Sequence, residues 1–362
     1  MTAFILPTGA SCTVTSAATE LTWILGNTES YVVKHNEQQL VKFQRKSNSI
    51  DLEKDDVPEI PISYKLWIAL YILFEKFPTT DLFVGELRFA ISFGDRRILS
   101  PFLAEEGDEH RLCIHASRHI FFQYNLPPAI GLSYLQTWRL QTTSASAIPT
   151  DYTTDLNSTG IAVQHPVRPI KPPPGTFLYG RYIPKLKQHL TFRVLNSQTD
   201  LEVFKTWMRL DRVNRFWNMA NADHAGYLKK QRADKHTIPI IGSFDGQDFL
   251  YSELYYVAED HLAPYTSGLA GEFDMGFHLL VGNESLRGPH RVHQWLPSIV
   301  HLLFLEDTRV NAIFLEPRSD NEKLISYLLQ LGFTKHFEFQ FPHKKAALMR
   351  IERHIFFASL IF

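Results

Sequence analysis

The chain has 362 residues, 44% hydrophobic and 21% charged, with 37 Lys and Arg against 38 Asp and Glu. That length allows two domains, each with its own core. The net charge of -1 gives no electrostatic reason to expect nucleic acid or an anionic membrane surface as the main partner. Cys12 and Cys113 cannot make a metal cluster and fit buried thiols in a reducing compartment. The start, Met1 to Pro7, lacks a basic segment followed by a long apolar core, so a secretory signal is not expected. The longest apolar stretch, Leu66 to Phe74, is too short to span a bilayer. Within it Leu66, Leu70 and Leu73, with Phe77 beyond, have helical spacing, and Pro78 closes a helix begun near Ile62. Glu86 to Phe93 alternates as a strand, and Pro127-Pro128 is a break. His110, His115 and His119 lack convergent carboxylates and read as surface or core histidines. Arg118-His119-Ile120-Phe121-Phe122 recurs as Arg353-His354-Ile355-Phe356-Phe357, hinting that the first domain, 1–141, is a shortened, degenerate copy of the second.

Residues 142–175 begin Ser/Thr-rich and end Arg168-Pro169-Ile170-Lys171-Pro172-Pro173-Pro174-Gly175, which predicts a linker stiffening toward polyproline II. The second domain, 176–362, has a readable order: a strand at 190–195, helical segments over 200–231, and strands at 237–244 and 249–257 joined by Asp245-Gly246. A strand at 273–281 runs into a polar, glycine-bearing turn and a helix from about Gly288 to Leu305. Then come a strand at 310–315, a helix at 320–331 and strands at 333–341 and 346–352. The start of the helix at Gly288 offers backbone N–H groups and the positive end of the dipole, which suits a diphosphate. Asp274 at the head of the preceding strand lies within reach of what such a ligand carries, so an enzyme using a phosphorylated carrier is expected.

This mixed α+β order resembles the GCN5-related N-acetyltransferase (GNAT) fold. A run of short motifs is more specific: His236-Thr237-Ile238-Pro239, Phe244-Asp245-Gly246, Glu253, Glu259-Asp260, Asp274 to Gly282, Arg287-Gly288-Pro289, Glu316-Pro317-Arg318 and Pro342 to Leu348. In that order they resemble the siderophore-biosynthesis acyltransferases acting on N-hydroxylysine or N-hydroxyornithine, over residues 180–357. A two-domain chain with a Pro-rich joint most resembles the fungal hydroxyornithine transacylases. The resemblance implies N5-hydroxyornithine or N6-hydroxylysine as acceptor and acyl-CoA (acetyl-CoA or anhydromevalonyl-CoA) as cosubstrate, without a metal. It also implies a pathway link to a nonribosomal peptide synthetase and leaves a homodimer open. A cytoplasmic location is expected; peroxisomes enter by analogy, but the last residues are not Ser-Lys-Leu.

Acyl transfer to an N-hydroxy amine needs a neutral nucleophile, a route for its proton and stabilisation of an oxyanion. The resemblance makes Asp274 the first choice for base, paired with His236, and gives Glu253 a catalytic or amine-binding role. His278 reads as a packed structural histidine. Backbone of Leu280 and Val281 would pair with the pantetheine arm. Arg287, Gly288, His290 and Arg291 would meet the diphosphate, and Arg318, Asn321 and Lys344 the nucleotide or adjoining amides. Phe216, Trp217 and Tyr227 would wall the acceptor. The turn departs from the usual glycine-rich pattern at Ser285, Pro289 and His290, and Met275 and Leu250 replace the Arg and Gly common in relatives. Alternatives are an acetyltransferase for another amine (a polyamine, an aminoglycoside or a protein lysine) and a catalytically silent GNAT-like scaffold in a synthetase assembly.

Overall fold

The computed structural model describes eight strands and residues Ala69, Leu70 and Leu73 in the amino-terminal region, then residues 151–359 apart from 157–159, 184 and 308. The chain folds as two compact units, the first chiefly Met1–Ser133 and the second chiefly Tyr134–Ile361. In the first unit, β1 (Thr2–Ile5), β2 (Ser11–Thr19), β3 (Thr28–His35), β4 (Gln38–Lys46) and β5 (Ser49–Leu52) form an antiparallel meander. Tyr31 and Phe43 stack at its centre with ring centroids 4.9 Å apart. A second sheet has the order β6 (Leu82–Leu87), β8 (Leu112–Ser117), β7 (Leu103–Ala104). Of the strand expected at 86–93, Glu86 and Leu87 lie in β6, and residues 88–93 lie outside the described residues. Ala69, Leu70 and Leu73 are helical and buried, as their spacing predicts. Of the five-residue echo the copy at 118–122 lies outside the described residues, as do His110 and His119.

The stretch expected to be a linker contains a hairpin of β9 (Tyr152–Leu156) and β10 (Ala162–Pro166), and Arg168 beyond it pairs with Glu259 of the same unit. Ser, Thr and Pro hid a two-stranded ribbon whose residues alternate exposed and part-buried. Next come β11 (Phe177–Ile183), a strand not expected, and β12 (Gln188–Val194). Three helices follow, α1 (Leu201–Met208), α2 (Asp211–Trp217) and α3 (His224–Ala233). The hairpin of β13 (Thr237–Phe244) and β14 (Gln247–Tyr256) turns through Asp245 and Gly246, both at positive φ, as a two-residue turn of this hand requires. The remaining elements are β15 (Met275–Val281), α4 (Pro289–Glu306), β16 (Ala312–Leu315), α5 (Glu322–Leu331), β17 (Thr334–Gln340), β18 (Lys345–Glu352) and a terminal helix, α6 (Arg353–Ala358), that had not been foreseen.

These strands make one eight-stranded sheet in the order β11-β12-β13-β14-β15-β16-β18-β17. Ile241, Tyr251 and Leu280 from its middle pack with Phe204, Trp207, Met208, Val213 and Leu228 of the three helices. A second cluster joins Tyr255, Ala312, Phe314, Phe341 and Leu348 under the loop after β14. Helix α4 buries Trp295, Leu296, Ile299, Val300, Leu303 and Phe304. No helix among the described residues is long and apolar enough to cross a membrane.

Candidate active site

Strand β15 pairs with β14 along its whole length, from Tyr256↔Met275 to Leu250↔Val281. Its parallel pairing with β16 covers only Met275↔Ile313 and Gly276↔Phe314, and beyond that point the two strands part. Glycine is needed at the last contact: a Cβ on Gly276 would lie 2.5 Å from the Tyr255 ring and 2.6 Å from the Phe314 carbonyl oxygen. A strand that loses its neighbour presents backbone N–H and C=O groups to anything extended that lies alongside. Leu280 and Val281 fall in this unpaired part, as expected of a pantetheine edge. Arg212, which sequence reasoning missed, donates to the carbonyls of Val281 (2.5 Å) and Gly282 (2.7 Å) and so already engages part of this segment.

His278 stands just past the parting. Its Nε2 is 2.8 Å from Glu316 Oε1 and its Nδ1 is 3.1 Å from Glu253 Oε2. Both carboxylates are buried, whereas 26% of the His278 side chain reaches solvent. The second oxygen of Glu316 accepts from the Tyr255 hydroxyl at 2.8 Å, and Lys344 Nζ reaches the Glu316 carbonyl at 2.8 Å and its Oε1 at 3.4 Å. Glu253 Oε1 accepts from the hydroxyls of Tyr251 (2.7 Å) and Tyr227. Burial works against the imidazolium, but Glu316 and Glu253 outweigh it and raise His278 to about 10. Burial also opposes ionised Glu316, yet Lys344 and His278 hold it well below the usual carboxylate range. The hydroxyls of Tyr227, Tyr251 and Tyr255 are pushed up by burial and the adjoining carboxylates, so all three remain donors. The result is a carboxylate–imidazolium–carboxylate bridge at the mouth of the parted strands.

His236 precedes β13, with Nδ1 2.6 Å from Asp234 Oδ1 and Nε2 3.8 Å from Asp260 Oδ2, the latter too long for a hydrogen bond. Despite burial, the two aspartates raise it to about 9. Asp260 also lies 3.0 Å from His261 Nδ1, and the His261 ring is 6.0 Å from that of His278. His236 therefore adjoins the bridge through a second layer of charge. Asp274 has a different setting. Its buried carboxylate accepts the backbone N–H groups of Gly271 (2.8 Å), Asn311 (3.0 Å) and Ala312 (2.8 Å), tying the foot of β15 to the start of β16. Burial raises its pKa although those three donors oppose the rise. Asp274 shares a face with His278 as the alternation predicts, but four residues of strand separate them by about 13 Å. Among the described residues, His261, His278 and Glu316 each bring one ligand-type atom within 4.8 Å of the others. That trio could hold a cation only by giving up a His278–carboxylate bond.

Of the side chains expected at the carrier, several are engaged within the protein. Arg287 binds Glu284 at 2.5 Å, and Arg318 makes two bonds to Asp320 at 2.9 and 2.8 Å. Arg291 reaches Gln188 and lies 5.0 Å over the Phe244 ring. Asn321 caps α5 by accepting from the Leu324 N–H at 3.3 Å. Lys344 serves Glu316 instead of an outward-facing anion. Gly288, at φ +124°, heads α4, and its carbonyl takes the N–H of Arg291 and of Val292, both at 3.1 Å. His290 packs its ring against Gly288. Of the three acceptor-wall aromatics, Tyr227 touches Glu253 and the Trp217 ring stands edge-on 6.4 Å from His278, while Phe216 is 39% exposed beside Arg215. The bridge follows from the antiparallel register of β14 and β15, which sets Glu253 directly opposite His278.

Residues 196–341 match the family described as an acetyltransferase (GNAT) domain. A Schizosaccharomyces pombe protein named "Putative lysine N-acyltransferase" is 36% identical over 90% of this chain and 91% of its own length. The hydroxyornithine transacylase SID3 of Ajellomyces capsulatus is 35% identical over 62% of this chain, and the N(6)-hydroxylysine O-acetyltransferase of Escherichia coli is 37% identical over 55%. This chain spans 54% and 62%, respectively, of those two relatives.

Proposed function

This chain belongs to the GNAT acyltransferases, and on that footing we propose that it transfers an acyl group from acyl-CoA to the hydroxylated nitrogen of N5-hydroxyornithine or N6-hydroxylysine, forming a hydroxamate for siderophore assembly. The observation that carries the mechanism is the Glu253–His278–Glu316 bridge at the parting of β15 and β16. A hydroxylamine nitrogen is far less basic than an amine and is already neutral near pH 7, so positioning and a proton route matter more than a strong base. His278, raised to about 10, arrives as the imidazolium. It is an acid in this state.

The nitrogen lone pair attacks the thioester carbonyl, and the C–S bond breaks as the tetrahedral intermediate collapses. Glu253 takes the proton lost by nitrogen, and His278 gives the proton on its Nδ1 to the departing CoA thiolate. The proton then passes from Glu253 to His278 Nδ1 across their 3.1 Å contact, restoring the site with hydroxamate and CoA thiol as products. The tyrosines and Lys344 keep the two carboxylates ordered during this exchange. In this reading Trp217 and Tyr227 border the acceptor, and His236 with Asp260 supports the field around the bridge.

A thiol-release assay tests the proposal: purified protein with acetyl-CoA, anhydromevalonyl-CoA and other acyl-CoAs, against N5-hydroxyornithine, N6-hydroxylysine, ornithine and lysine. CoA release with a hydroxylated acceptor, at least ten times faster than with its parent amine, is expected. No release with either hydroxylated acceptor across the acyl-CoA panel contradicts it.

A further inference from the structure

The backbone of β15 alternates, and the alternation decides which of its groups face the parting. The Val257 N–H donates to the Asp274 carbonyl at 2.9 Å and the Gly282 N–H to the Phe249 carbonyl at 2.8 Å. In an antiparallel pair such bonds recur at every second residue, so Asp274, Gly276, His278, Leu280 and Gly282 turn their N–H and C=O groups to β14. Leu279 and Val281, past the last contact with β16, turn theirs into the gap. An extended ligand in the gap therefore meets the backbone of Leu279 and Val281, not that of Leu280.

Arg212 of α2 holds the far end of this edge. Its Nη1 donates to the Val281 carbonyl at 2.5 Å and its Nη2 to the Gly282 carbonyl at 2.7 Å. Successive carbonyls of a strand point to opposite sides, so one guanidinium reaches both only where the strand has ended. Trp207 of α1 closes the same corner: it is buried, and a Cβ on Gly282 would lie 2.0 Å from its ring. Arg212 Nε also meets Glu284 at 2.7 Å, but the Glu284 side chain is 70% exposed and such a pair stabilises little. The two carbonyl bonds are what set Arg212 apart. They take up the Val281 carbonyl and leave the N–H and C=O of Leu279 and the N–H of Val281 for a ligand.

We propose that Arg212 is a positioning residue for the acyl carrier, acting through the Val281 carbonyl to set the register of the pantetheine arm on β15. The inference rests on the acyl-CoA reading above and deepens it. The arm carries two amides and, in that reading, runs from the turn at Gly288 back toward His278. Groups facing the gap recur every second residue, about 7 Å apart. With the Val281 carbonyl taken, the Leu279 carbonyl, next to His278, is the acceptor left past the parting for an amide N–H of the arm. With the Val281 carbonyl free, the same N–H can pair one step early and leave the thioester about 7 Å short of the Glu253–His278–Glu316 bridge.

Two measurements on Arg212→Met test this: kcat with acetyl-CoA and N5-hydroxyornithine, and the Kd of CoA by titration calorimetry. Thermal midpoints establish that the variant is folded. Misplacement of the thioester should lower kcat by about 10–10²-fold. The Kd of CoA should stay within about threefold of wild type, because the edge still offers the arm its partners. Arg212→Lys, the second variant, brings one ammonium to the carbonyls and should give an intermediate kcat, again with Kd unchanged. A kcat within about twofold of wild type in both variants, or a Kd for CoA weakened about tenfold or more, overturns the inference, the second result being that of a loosened edge. Wild type that neither binds CoA nor releases it from acetyl-CoA contradicts the acyl-transfer reading instead, a result distinct from wild-type turnover that survives in the variants.

Discussion

Asp274 and His278 stand on one face of β15, and each is the polar centre of its surroundings. Among the described residues, the hydrogen bonds to the Asp274 carboxylate come from the backbone N–H groups of Gly271, Asn311 and Ala312. The hydrogen bonds of the His278 ring, among the described residues, go to the side chains of Glu253 and Glu316, which tyrosines and a lysine hold in turn. A carboxylate held by three backbone donors fixes strand positions, and one acceptor site, on Oδ2, is left over. An imidazole between two carboxylates, with its edge open to solvent, has a proton to give and a path to recover it. Residue type alone would rank the aspartate as base and the histidine as packing; the proposed mechanism ranks them the other way, on the strength of their partners.

The largest expected effect is on folding. Asp274→Ala leaves three N–H groups without their acceptor, at roughly 1–3 kcal/mol each where water cannot reach. A loss of about 3 kcal/mol or more in urea denaturation is expected, a large share of a typical domain's stability. Unchanged stability with turnover reduced a hundredfold would return Asp274 to the catalytic role. His278→Gln is expected to lower kcat by about 10²–10⁴, the usual worth of a positioned acid or base. It should also destabilise, because Glu253 and Glu316 lose the charge between them.

The pH dependence of stability follows from the same pair of surroundings. The folded pKa of His278, about 10, lies above its ordinary value near 6.5. Its contribution is therefore complete below about pH 6.5 and is lost as pH rises through 10. His236, raised to about 9, acts in the same direction over an overlapping window. Urea midpoints should fall between pH 6.5 and 9.5 in wild type and fall less in His278→Gln; parallel curves would contradict the bridge. Lys344→Met removes a cation from Glu316 and should lower kcat about tenfold, with the acid limb of the pH–rate profile moved upward. The smallest effect is expected at Arg318→Gln, where an exposed pair with Asp320 is lost. A KM for acetyl-CoA within about twofold and stability within ~0.5 kcal/mol of wild type are anticipated; a tenfold rise in KM would give Arg318 a role at the carrier after all.

Much of the second unit was legible in the sequence because its signals are local. The Asp245-Gly246 turn, both residues at positive φ, marks the β13–β14 hairpin within a few residues of chain. The hairpin at Tyr152–Pro166 was hidden by its Ser, Thr and Pro content, and β11 by its closeness to that stretch. Glu253, Asp274 and His236 stood out as candidates, but some of the partners that set their surroundings come from far along the chain. Asp274 meets donors 37 and 38 residues later, and His278 meets Glu316 38 residues later. Only the folded register decides which acid faces backbone and which faces the imidazole.

The most direct test of that decision is kcat for acyl transfer to N5-hydroxyornithine by His278→Gln and Asp274→Asn, each measured at low temperature on protein shown to be folded. His278→Gln should retain less than about 1% of wild-type kcat and Asp274→Asn should stay within about tenfold. The reverse pattern, with His278→Gln near wild type and Asp274→Asn inactive though folded, would contradict the assignment of proton transfer to the Glu253–His278–Glu316 bridge.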